Sequence, residues 1–172
     1  MKRILTINKD CNIDKFIGTS FLRVAYRAII SKDNQVLFIK SSKFGEMKFP
    51  GGGKEPKEIA YEVLKREVLE ETGYLLKSKI RPFGRTMEYT KDFKKEYDIY
   101  IQDSRYYLCQ VHDYQQKTNY AGYEIEYGYY PIWATLDEAI ANNEGVQSNN
   151  QISWLERDTE VMRILLSLRS EK

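Results

Sequence analysis

The apolar positions of this chain first gather between Phe21 and Ile30, a stretch rich in Val, Tyr, Phe and Ile that predicts a strand. Ser31-Lys32-Asp33-Asn34 supplies turn residues, and Gln35 to Lys40 predicts its hairpin partner. The mixed residues 1–20 are candidates for one more strand or a cover for the sheet. Leu75–Tyr89 and Tyr97–Val111 predict long strands or bent hairpins around a charged tip at 91–96, and Tyr127 to Trp133 predicts another strand. Helical spacing runs from Pro56 to Thr72, with Pro suited to the first turn and Gly73 to the stop. Two more helices close the chain: Thr135 and Glu138 have capping-box spacing, and Trp154, Val161, Leu165 and Leu168 recur on one apolar face. Strands mixed with helices predict an α/β fold, a sheet covered by helices, with residues 1–172 as one domain.

The helix over 56–72 changes character along its length. Ala60, Val63 and Leu64 form an apolar stripe that should face the sheet, and the same stripe continues into Glu67, Glu70 and Glu71. Like charges at this spacing repel by roughly 1–4 kcal/mol per pair, and the C-terminal end of a helix disfavours anions. Something positive should offset them. Arg66 can reach Glu70 one turn on, and a hard divalent cation suits clustered carboxylates better still. Mg²⁺ also retains waters and pairs with phosphates, which points to phosphoryl chemistry. Gly51, Gly52 and Gly53 lie just ahead and let the backbone approach a metal or phosphate closely.

Gly52, five residues, Glu58, seven residues, then Arg66-Glu67-Val68-Leu69-Glu70-Glu71-Thr72-Gly73 resembles the Nudix box, here residues 52–74. All fixed positions match, and Tyr74 stands where an aliphatic residue is usual. The resemblance implies the family's α/β/α sandwich, a mixed sheet flanked by helices. It implies Mg²⁺ or Mn²⁺ as cofactor, with Glu67, Glu70, Glu71 and the Gly52 carbonyl as metal ligands. Arg66 would orient the glutamates, and Glu58 would position the loop or reach a metal through water. Glu67 is one candidate for the base; Glu124 and Glu126, in a loop before a strand, are others. The implied reaction is attack of water on a phosphoanhydride of a nucleoside diphosphate linked to another moiety: a dinucleoside polyphosphate, ADP-ribose or a nucleoside triphosphate. An enzyme acting on RNA 5′ ends and a non-catalytic nucleotide-binding regulator remain as alternatives. Tyr89, at a position where dinucleoside-polyphosphate enzymes of this family tend to have tyrosine, is a substrate-binding candidate, and Arg27, Lys48 and Arg85 are candidate phosphate contacts. Members often form homodimers.

Lys and Arg number 27 and Asp and Glu 25, a net charge of +2 that argues against DNA or a membrane surface as partner. Cys11 and Cys109 have no metal-ligand or redox spacing and suggest a reducing compartment. With neither signal peptide nor membrane span, the expected location is the cytoplasm. His112, the only histidine, has no neighbours at ligand spacing.

Overall fold

The elements run β1 (Arg3–Asn8), β2 (Ser20–Lys32), β3 (Gln35–Ser41), β4 (Met47–Lys48), α1 (Ala60–Thr72), β5 (Tyr74–Leu76), β6 (Arg81–Lys91), β7 (Ile99–Cys109), β8 (Val111–Gln115), α2 (Tyr123–Tyr127), β9 (Tyr129–Ala134), α3 (Leu136–Glu144) and α4 (Leu155–Ser170). The computed structural model describes residues 1–9, 18–146 and 152–170, so Cys11 lies outside the described residues. Seven strands make a mixed sheet in the order β1-β6-β7-β2-β3-β4, with β9 also pairing β3, and β5 pairs β8 in a separate ribbon. β1 runs parallel to β6 and β2 parallel to β7.

The sheet is filled on both faces. Alternate residues of β2 point to opposite sides. Tyr26, Ala28 and Ile30 pack under Val63, Leu64 and Val68 of α1, as its apolar stripe predicts. On the other face Ile29, Phe38, Phe49 and Tyr106 pack under Leu136 and Ala139 of α3 and Val161, Met162 and Leu165 of α4. The result is the predicted α/β/α sandwich.

The structure differs from the sequence expectation at four points. α1 begins at Ala60 rather than Pro56, because Lys57 has a positive φ of 71° and no helix can run through it. Each long strand segment after α1 divides, giving β5 with β6 and β7 with β8. Glu124 and Glu126 sit on the single turn of α2 rather than in an open loop. Leu168 is 45% exposed; near it Arg169 reaches the β2–β3 turn, donating to Ser31 Oγ at 3.0 Å.

One departure from regular pairing positions the site. β2 and β3 pair only at their turn, Ser31 with Val36 and Lys32 with Gln35, and then separate. The glycine loop occupies the gap. Ala28 N–H donates to the Pro50 carbonyl at 2.8 Å, Tyr26 N–H to the Gly52 carbonyl at 2.9 Å, and Lys54 N–H to the Val24 carbonyl at 3.1 Å. The loop thus satisfies the backbone of β2 as a strand would.

The start of α4 is locked beneath this loop. Asp158, fully buried, accepts from Phe49 N–H (3.1 Å), Tyr106 Oη (2.8 Å) and Arg157 Nε (2.9 Å). Arg157 Nη1 also donates to Glu88 Oε2 at 2.8 Å. Burial opposes the Asp158 charge, but Arg157 and Arg27 outweigh it and hold the carboxyl below its usual range. A depressed carboxyl contributes stability above its unfolded value, near 4, and loses it as pH falls. Asp158→Asn should therefore cost about 3–5 kcal/mol at neutral pH, the usual loss when a buried pair is broken. The gap to wild type should narrow below about pH 4, measured by urea unfolding at pH 7 and pH 3.5.

Candidate functional site

Arg66 holds the acidic end of α1 together. Its Nε and Nη2 donate to the two oxygens of Glu58 at 3.0 and 3.1 Å, a bidentate pair. Nη1 donates to Glu67 Oε1 at 2.8 Å and lies 3.5 Å from Glu70 Oε2, and Nη2 reaches the Gly53 carbonyl at 3.3 Å. One guanidinium thus ties three carboxylates and the glycine loop to one helix face. Hydrogen bonds from Arg66, and one from the Glu55 backbone, hold Glu58 below the ordinary carboxylate range. Lys57 with its positive φ turns the chain just before Glu58.

Glu71 sits differently. It is buried, its Oε1 paired with Lys48 Nζ at 2.9 Å and its Oε2 accepting Gly51 N–H at 2.6 Å. Lys48 is buried too, with Nζ 4.3 Å from the centre of the Tyr129 ring. Both oxygens of Glu71 are thus engaged by the protein. The Lys48 ammonium, expected at a phosphate, spends its charge on this carboxylate instead.

Glu67 and Glu71 border a cleft of about 460 Å³ that Arg23 and Arg27 from β2 and Arg157 from α4 also line. Glu124 of α2 lines it as well. Burial, then the charge of Glu71, push the Glu67 carboxyl up. Burial raises Glu124, and the charges of Glu71 and Glu70 add to the effect. Carboxylates that raise one another mark a place where a cation would be stabilised. Arg27, only 7% exposed, donates to the Gly51 carbonyl while its Nε has no partner among the described residues.

Of the residues expected from sequence, the cleft thus gathers Glu67, Glu71, Glu124, Gly52 and Arg27. Arg66, Glu58 and Glu70 stand directly behind Glu67. Besides Lys48, three candidates lie elsewhere. Glu126 points out to Lys43 (2.5 Å). Arg85 pairs with Asp103 at 3.6 Å. Tyr89 follows Glu88 and precedes Thr90, which both line the cleft, so strand alternation turns its ring to the opposite face. The sequence reading missed Arg23, Glu88, Gln102 and Arg157. Arg23 and Arg27 sit four apart in a strand, a period-two pattern that places both on one face, and that signal was present in the sequence.

The donor set suits a hard divalent cation in its chemistry: Glu67, Glu70, Glu124 and the Gly52 carbonyl, which keeps a second lone pair beside the Tyr26 N–H. Among the described residues no three acidic or other ligating side chains already converge on one point. Glu71 is turned to Lys48, and Arg66 occupies the space between Glu67 and Glu70.

A three-layer sandwich with a clamped glutamate helix facing an arginine-lined cleft defines a phosphate-handling α/β protein. The NUDIX domain model matches residues 21–155, and the chain belongs to that family, whose hydrolases act on phosphoanhydride bonds and generally use divalent metal ions. Its fold is similar to that of the E. coli ORF135 protein (18% identity, 88% of this chain and 93% of that one, TM-score 0.59). A NUDIX hydrolase from Nitrosomonas europaea is similar at 19% identity over 82% of this chain and 90% of that one, TM-score 0.55. So is a MutT NUDIX hydrolase from Burkholderia pseudomallei, at 18% identity over 81% and 97%, TM-score 0.53. Among curated proteins none matches this sequence. No helix among the described residues is long and apolar enough to cross a membrane.

Two adjacent glycines separate scaffold from site. A Cβ on Gly51, at φ 135°, would collide with the Tyr26 backbone carbonyl, which cannot move. A Cβ on Gly52 would strike only the carboxylate of Glu67, the end of a side chain. Gly51→Ala should lower the melting temperature, with strain of at least about 1–3 kcal/mol. Gly52→Ala should keep its melting temperature within a few degrees yet weaken Mn²⁺ binding about 10–100-fold, the usual effect of displacing a metal site's support. Thermal melts and Mn²⁺ titration followed by electron paramagnetic resonance read the two effects apart.

Proposed function

We propose that this protein hydrolyses a phosphoanhydride bond in a nucleoside diphosphate linked to a second moiety, using Mg²⁺ or Mn²⁺. The observation that carries the reading is one cleft lined both by α1 glutamates, Glu67 held by Arg66 among them, and by the arginines of β2. Glu67 and Glu70, with the Gly52 carbonyl, would hold the ion. When bound, such an ion lowers the pKa of the attacking water and offsets charge on the leaving phosphate.

The protein's own groups divide the remaining work. Arg66 keeps Glu67 and Glu70 in place through charge-assisted hydrogen bonds. Arg27 offers donors to the phosphate oxygens opposite them. Glu124 takes the proton from the attacking water. Its Oε2 accepts the Ala121 N–H at 3.1 Å, and burial raises the carboxyl above its ordinary range. The water oxygen bonds to one phosphorus, its bond to the bridging oxygen breaks, and the two phosphate-bearing halves leave. Glu71 stays in its pair with Lys48 and holds the loop. The substrate is a small nucleotide, with no DNA and no membrane as partner. We assign the chain to the cytoplasm, and a homodimer is compatible with the family.

Phosphate release from ADP-ribose, dinucleoside polyphosphates, nucleoside triphosphates and sugar nucleotides, with a phosphatase added to expose monoesters, tests the reading. One compound should turn over with Mg²⁺, and Glu70→Gln should abolish that turnover. Glu124→Gln should lower kcat about 10²–10⁴-fold with KM little changed. Turnover of no compound by the wild-type protein in Mg²⁺ or Mn²⁺, or an active Glu70→Gln variant, overturns it.

A further inference from the structure

One face of β2 reads, every second residue, Phe21, Arg23, Ala25, Arg27. Arg27 and Arg23 line the cleft, and among the described residues neither has a carboxylate within ion-pair distance. Arg23 is fixed sideways, Nη1 donating to Gln102 Oε1 at 3.0 Å. The same oxygen accepts from Tyr100 Oη at 3.0 Å, so a buried glutamine couples the arginine to an aromatic ring. Ala25, between the arginines, has no bulk and faces Gly53. The face therefore carries two cations, neither in an ion pair among the described residues, with one small buried residue between them.

The row ends on aromatic rings. Phe21 stacks on Tyr100 with centroids 6.0 Å apart and planes at 29°, and lies 5.5 Å from Tyr97. Phe21, Tyr97 and Phe93 are 44%, 40% and 82% exposed. They border a recess of about 100 Å³ that continues the main cleft, since Phe93 and Tyr100 line both. Exposed rings gathered at a cleft mouth offer a flat apolar surface, which suits an uncharged ring system. From Phe21 to Arg27 the strand spans about 20 Å at its usual rise per residue.

We propose that the substrate lies along this face of β2, its phosphates against Arg27 and Arg23 and its nucleobase stacked on the Phe21–Tyr97–Tyr100 platform. This rests on the pyrophosphohydrolase reading and deepens it. The base sits at the end of the cleft remote from the glutamates. The spacing demands an extended substrate in which sugar and phosphates separate the base from the bond that breaks. Recognition is through stacking, which every base can make, so the platform selects for a nucleotide over a bare polyphosphate rather than for one base.

Isothermal titration calorimetry of the full chain in EDTA, with ADP and with inorganic pyrophosphate as probes, tests this without catalysis. Wild type should bind ADP about ten-fold or more tightly than pyrophosphate, the effect of one base stack. Phe21→Ala and Tyr97→Ala, both at exposed positions, should bring ADP down to the level of pyrophosphate and leave pyrophosphate unchanged. Arg23→Gln should weaken both probes by the same factor. Equal wild-type affinity for the two probes, or unaltered ADP binding in both ring variants, overturns the proposal. Because no metal or turnover enters, these results are independent of whether Glu70→Gln abolishes hydrolysis.

Discussion

A single guanidinium sets the arrangement on which the site depends. Without Arg66, Glu58, Glu67 and Glu70 would share the last turns of α1 and its approach as mutually repelling anions, at the helix end where the macrodipole is least favourable. Arg66 bridges all three and the Gly53 carbonyl. Each contact does double service. The bond to Glu58 fixes the turn in which Lys57, at positive φ, keeps the helix from starting before Ala60. The bond to Gly53 ties that turn to the loop that completes the backbone pairing of β2. The bond to Glu67 fixes the carboxylate that borders the cleft. A lysine there would supply the charge but not the planar fork that reaches several acceptors at once.

The second constraint is the gap between β2 and β3. Once the strands separate, the backbone of β2 must find partners, and the chain at Pro50–Lys54 is the segment that supplies them. Close pairing leaves no room for a side chain at Gly51, and the Glu67 carboxylate fills the space beside Gly52. The absence of side chains at both brings α1, packed on one face of the sheet, to the border of a cleft lined largely from the other. The acidic and basic walls therefore come from opposite layers and meet only because the sheet is open at that point.

How much of this was legible in the sequence follows the range of each interaction. Helical spacing placed Glu67, Glu70 and Glu71 together, and the alternation of β2 was enough to find Arg23 beside Arg27. These are local facts, within one element. The partners that decide roles lie far along the chain: Glu71 meets Lys48, 23 residues away, and Arg157 meets Glu88, 69 residues away. No periodicity reports such distances. Tyr89 shows the opposite error. A family position suggested it, yet the strand's alternation gives the cleft to Glu88 and Thr90, and the tyrosine faces away. Tyr100, on the neighbouring strand, faces the cleft.

Glu71 links these points. The family pattern makes it a metal ligand, but in this chain a buried lysine already balances it, seated against the Tyr129 ring. Removing a lysine from such a pair would leave a bare buried carboxylate, a strongly destabilising change, so the pair is a structural commitment. Both oxygens of Glu71 are taken by the fold, Oε1 by the Lys48 ammonium and Oε2 by the Gly51 N–H. Glu124 lines the same cleft, where burial, then the charges of Glu71 and Glu70, raise its carboxyl. The one-turn helix α2 thus brings to the cleft a glutamate from outside the glycine–glutamate segment, which is the physical ground for the role proposed for it.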